Sequence, residues 1–222
     1  MAHTALALLN LYQYWDWNAA REAFDNALSS NPNNEIAQAH FAWYHVLFGN
    51  FDEAIYHARQ AVFLDPLSAT FKSWLAWLYF LEKDYTEAEN WARESIKLSD
   101  QIHWGNLVLG WVLLEKGNFQ GALEAHEKLP VQVLHWRWFL CRTYVVTGQR
   151  TKAMALWNDA LKESESGTNP FYIGMMAGVL GFHDQAFSLL KEACDKNYYP
   201  VEYVMTFPSA QFIMDDPQYD SL

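Results

Sequence analysis

The 222-residue chain is 51% hydrophobic and 17% aromatic, which gives it ample apolar surface for a core and excludes a disordered segment. Its formal charge of −11, with no offsetting cluster of Lys and Arg, disfavours a phosphate backbone, so nucleic acid is not an expected partner. No stretch reaches the roughly 18 apolar residues of a membrane span and MAHTALALLN has no basic region, so the composition predicts a soluble, cytoplasmic protein with no membrane partner.

From Met1 the pattern predicts a helix to about Tyr14 and a second from Asn18 to about Ser29, closed by SSNPNN, where Pro32 cannot continue a helix. The second helix carries Trp17, Ala20, Phe24 and Ala27. Adding 34 to these positions and to Pro32 lands on Phe51, Ala54, Ala58, Ala61 and Pro66, and adding 34 again lands on Tyr85, Ala88, Ala92, Ser95 and Asp100. The register persists at Phe119 and Ala122, then slips by three residues to Ala153 and by one to Ala186. Small residues therefore form a column at 20, 54, 88, 122, 153 and 186.

The turn inside each copy repeats too. Gly49, Gly117, Gly148 and Gly181 share one slot, which Trp15 fills in the first copy and Lys83 in the third. In GNFDEA, Gly49 permits the positive φ of a helix C-cap, and Asp52 is placed to cap the helix that follows. The copies run 1–34, 35–68, 69–102, 103–133, 134–166 and 167–197. Pro130 arrives early, so the second helix of the fourth copy is short and the next copy starts near Leu134. The fifth copy runs into ESESGTNP, the most linker-like stretch. Gly174, Gly178 and Gly181 predict that the sixth is the least rigid, since an interior glycine costs about 1 kcal/mol relative to alanine.

A 34-residue period with two helices per unit signals a solenoid, in which each unit buries its apolar face only by stacking on its neighbours. The pattern resembles the tetratricopeptide repeat family from Met1 to about Lys196. That resemblance implies an all-α, right-handed superhelical solenoid of about six helix-turn-helix repeats over residues 1–197, with a C-terminal cap over 198–222. A narrower likeness rests on YWDWNAAREAFDNALSSNPN, DPLS and DPQYDSL. These look like repeat regions joined to the output domains of bacterial multidomain regulators, which implies a sensing or partner-binding role.

Chemistry-bearing constellations are scarce. Among the eight histidines there is no HExxH and no Cys/His ligand spacing, and His40 and His45 fall on different helix faces, so neither a metal nor a cofactor is expected. Asp52, Glu53, Glu87 and Glu89 stand at the starts of second helices, where they meet the helix dipole. No phosphate loop or GxSxG elbow is present, and the sequence does not read as an enzyme. Cys141 and Cys194 occupy slots that favour small or apolar residues, which reads as reduced core thiols.

In the tetratricopeptide architecture the first helices of successive copies line a concave wall, and the resemblance places Leu9, Trp43, Trp77, Trp111, Arg142 and Met175 in one inward column. Candidate partner-binding residues are Tyr12, Trp43, Leu47, Trp77, Phe80, Trp111, Leu114, Trp138 and Arg142. They suit a protein or peptide partner that offers an apolar segment or amphipathic helix. The competing reading packs these rings between adjacent helices. Self-association into a homodimer, or a small-ligand sensor, are the alternative functions. In the tail, Pro200, Pro208 and Pro217 forbid one long helix, so short turns are predicted, with Val201–Phe207 helical against the last repeat and Phe212 and Ile213 folded back as a cap. The rival reading lays the tail over Trp111 and Trp138 as a built-in ligand.

Overall fold

The repeat frame reappears helix for helix in the computed structural model, which describes residues 2–164, 169–196, 198, 203, 210 and 213. Helix α1 (Ala2–Leu9) continues into a π-helical turn (Asn10–Tyr14), followed by α2 (Trp17–Ser30), α3 (Glu35–Leu47), α4 (Phe51–Leu64), α5 (Ala69–Leu81) and α6 (Tyr85–Leu98). Then come α7 (His103–Glu115), α8 (Phe119–His126), α9 (Leu134–Val146), α10 (Arg150–Ser164), α11 (Pro170–Leu180) and α12 (His183–Asp195). No strand occurs among the described residues, and the fold is all-α. The chain divides into two compact units, residues 1–112 and 113–222, with the division falling inside α7.

Local chemistry explains where the helices start. Asp16 accepts from the Ala19 amide at 3.0 Å, Asn34 from Ala37 at 3.1 Å, Ser68 from Phe71 at 3.2 Å, Asp84 from Glu87 at 3.1 Å and Asn118 from Gly121 at 3.0 Å. Each side chain satisfies one of the amides that a helix N-terminus leaves unpaired. Asp52 does not cap α4 as its spacing suggested: the N-cap position is Asn50, whose side chain makes no capping bond, and Asp52 and Glu53 lie in the first turn facing the helix dipole. Asn169 caps α11 with Pro170 in its first turn, the position where a missing N–H is harmless.

In the first unit α1 packs on α2, α3 on α4 and α5 on α6, while α2 meets α3 and α4 meets α5. In the second unit α9 packs on α10 and α11 on α12, and α8 and α11 both meet α9. The alanine column sits where these helices approach: Ala20, Ala54, Ala88, Ala122, Ala153 and Ala186 are all 0% exposed. Gly174 has the same origin. A Cβ there would stand 3.2 Å from the Ala186 carbonyl oxygen and 3.2 Å from Leu189 Cβ, so this glycine marks close contact between α11 and α12 rather than looseness.

The short α8 ends at His126 and α9 begins at Leu134, as the early Pro130 predicts. Cys141 and Cys194 are free thiols; Cys141 is buried, and burial pushes its thiol up to about 12. No helix among the described residues is long and apolar enough to cross a membrane. The predicted tail helix over 201–207 and the position of Phe212 lie outside the described residues except at Tyr203, which is buried, as are Ala210 and Ile213.

Candidate functional site

The predicted column is built from the first helices of the repeats, and the structure turns it into a ladder of rings within residues 1–112. At one end the Tyr12 hydroxyl and His40 Nδ1 are 2.9 Å apart, and the two rings meet edge to face at 5.6 Å. His40 meets Trp74 at 5.2 Å, Trp74 meets Trp43 at 5.8 Å and Trp43 meets Trp104 at 6.1 Å. Trp104 leads to Trp77 at 6.5 Å, and Trp77 to Phe80 at 5.2 Å and Trp111 at 4.9 Å. These separations lie in the range where offset and edge-to-face rings attract one another beyond the apolar area they bury.

Exposure divides the candidates into two groups. Trp77, Trp111 and Trp138 are 0% exposed, and Phe80 and Leu114 are nearly so, which corrects the expectation that these five face an open groove. The cause is size. An indole on closely packed helices reaches the neighbouring layer, where Trp77 is covered by Phe80 and Trp111, and Trp138 by Phe139 at 3.9 Å and Phe171 at 6.4 Å. Tyr12, Trp43 and Leu47 are half-buried. Tyr12 and Leu47 rest on a core of Leu11, Phe24, Phe41 and Tyr44.

Arg142 is also half-buried. It donates to Glu115 at 3.4 Å, so its charge is engaged within the second unit. Burial lowers its pKa and Glu115 opposes that shift. His40, Trp74 and Trp104 join the ladder from outside the candidate set. His40 and Trp74 stand one repeat apart, three residues before Trp43 and Trp77, and Trp104 lies two turns before Trp111 on one helix face, so both signals were present. Among the described residues no group of three His, Cys, Asp or Glu is placed to hold a metal ion.

A stack of helix pairs that buries small residues at each crossing and lines its first helices with rings is a helical-repeat scaffold, a class that works by presenting surface. Residues 40–101 match the tetratricopeptide repeat family. No curated protein matches the sequence. The structure is similar to PilW, a widely conserved type IV pilus biogenesis factor, at 22% identity over 92% of this chain and 96% of that one, with a TM-score of 0.64. It is also similar to a thermophilic tetratricopeptide repeat protein of Thermus thermophilus (18% identity, 81% and 97% covered, TM-score 0.69). A third is a tetratricopeptide repeat protein from Parabacteroides merdae (15% identity, 94% and 83% covered, TM-score 0.71). At these identities the likeness establishes the fold, the stacked helix pairs of tetratricopeptide repeat proteins, an architecture that generally mediates protein–protein interaction.

Proposed function

We propose that the chain is a non-catalytic interaction module whose ladder edge in residues 1–112 takes an apolar segment or amphipathic helix from a protein partner. The observation that carries this reading is the half-buried aromatic edge of Tyr12, Trp43, Trp74 and Trp104, backed by fully buried rings. Rings held by other rings lose little side-chain entropy on binding, which is the usual property of an interface anchor. Within this reading Trp43 is the contact residue and Trp77 and Trp111 are its support. The resemblance of YWDWNAAREAFDNALSSNPN, DPLS and DPQYDSL to regulator repeats supports a place as the partner-binding or sensing part of a bacterial regulator.

Selection of helical peptides from a display library against the whole chain tests the proposal. Selected peptides should be amphipathic and should lose at least about fivefold in affinity for Trp43→Ser, whose melting temperature stays close to that of the parent. Peptides that bind Trp43→Ser unchanged would overturn the assignment. A dimer in light scattering without any peptide, dissolved by the same substitution, would assign this edge to self-association instead.

A further inference from the structure

At the turn ends of the first two repeats lies a cleft of about 1050 Å³ whose lining includes none of the ladder rings. Its floor is Phe41 and Tyr44, both buried, with Phe41 stacked on Phe24 at 4.9 Å beneath. Its wall is Trp15 and Trp17, stacked at 6.1 Å with 21° between their planes, and its rim is the exposed Tyr14 and Phe48.

The backbone is shaped to place these rings. The π-helical turn adds a residue before Trp15, whose φ of 53° is a left-handed conformation that disfavours a large side chain. The left-handed φ is that of the turn slot which glycine fills in four other repeats; the π turn is the added feature here, and single π turns are frequent at functional sites. Two polar atoms of lining residues, Trp15 Nε1 and His45 Nδ1, are buried without a hydrogen-bond partner.

The charge around the rings is negative. Asp16, Asp25 and Glu53 line the cleft against a single Arg21, which stands 3.9 Å from Asp25. Asp16 is occupied in capping α2, and Glu53 has no ion pair among the described residues. Burial lowers the pKa of His45, with Glu53 and Asp25 opposing that shift and Arg21 adding to it.

We propose that this cleft binds an organic ammonium group, held against the aromatic lining of Trp15, Trp17, Tyr14 and Phe48 and neutralised by Glu53 and Asp25. Aromatic faces attract cations through their quadrupoles, most strongly for Trp and for weakly hydrated ammonium groups. A lysine side chain of a bound protein and a free quaternary amine both supply that chemistry.

The test uses the whole chain and follows the indole N–H signals of Trp15 and Trp17 by NMR, assigned with Trp15→Phe and Trp17→Phe. Choline and Nα-acetyl-lysine amide are the cationic probes, and 3,3-dimethylbutan-1-ol is the neutral isostere of choline. The expected result is a saturable shift with at least one cation and at least about fivefold weaker binding of the neutral isostere. The same loss is expected for Glu53→Gln and for Phe48→Ser, two exposed positions. Tighter binding of the lysine probe would assign the site to a peptide side chain, and tighter binding of choline to a small amine. Absence of saturation with both cations, equal affinity for the neutral isostere, or indifference to Glu53→Gln would each overturn the proposal. Should Phe48→Ser fail to fold, Glu53→Gln and the isostere still decide.

Discussion

Trp15 and Lys83 occupy the turn slot that glycine fills in four other repeats, and among the described residues they are the two non-glycine positions with positive φ, 53° and 62°, beside 68°, 74°, 75° and 86° at the glycines. The sequence shows this slot in advance, because the frame alone names the two positions where glycine is missing. Lys83 is exposed, so Lys83→Gly should raise stability by about 1 kcal/mol in a urea melt, whereas a loss would mean that the lysine side chain contributes more than its backbone costs. Histidine burial adds a second residue-scale effect. Burial holds His40 and His57 at about 4, with the charge of His45 adding to the shift at His57. Unfolded histidines titrate near 6.5, so below that pH the unfolded chain takes up protons that the folded chain refuses. Stability is therefore complete above about pH 6.5 and declines toward pH 4. Thermal melts across that window should show the decline, and His40→Phe should reduce its slope by about 1–3 kcal/mol over the window.

Helix pairs carry the stability, and their crossings were the most legible part of the sequence. A column of alanine 34 residues apart can arise from few causes besides close approach, and all six members are fully buried. Ala88→Leu should cost about 1–3 kcal/mol by overpacking the contact of α5 with α6, measured as a fall in the denaturant midpoint. The tryptophan column was legible as a column and not as a surface. Periodicity places Trp43 and Trp77 in equivalent slots, yet Trp43 is half-buried and Trp77 is 0% exposed, because the rings that cover Trp77 come from Trp111 on the next repeat and Phe80 on its own helix. A period records which face a residue occupies, not what stacks on that face. Trp77→Ala should accordingly cost about 3–5 kcal/mol, while Trp43→Ser should leave folding nearly intact. The cleft beside Trp15 was harder still to foresee, since it depends on a π turn that no apolar spacing encodes.

Over the whole chain, the described residues beyond the last repeat include three buried side chains. Tyr203, Ala210 and Ile213 are 2%, 0% and 0% exposed, so these three side chains are packed away from water. Removing residues 200–222 should lower the melting temperature by at least about 5 °C, read by calorimetry on the truncated chain, and an unchanged transition would show that these side chains contribute no stability. The ring ladder of residues 1–112 has a consequence for light as well as for binding. Trp77 and Trp111 have centroids 4.9 Å apart and Trp43 and Trp74 5.8 Å apart, close enough for their indole transitions to mix and for excitation to hop between them. The folded chain should therefore show an indole exciton couplet in far-ultraviolet circular dichroism, superposed on the helix signal, and rapid depolarisation of its tryptophan emission, giving this stack of repeats an optical signature that needs no label.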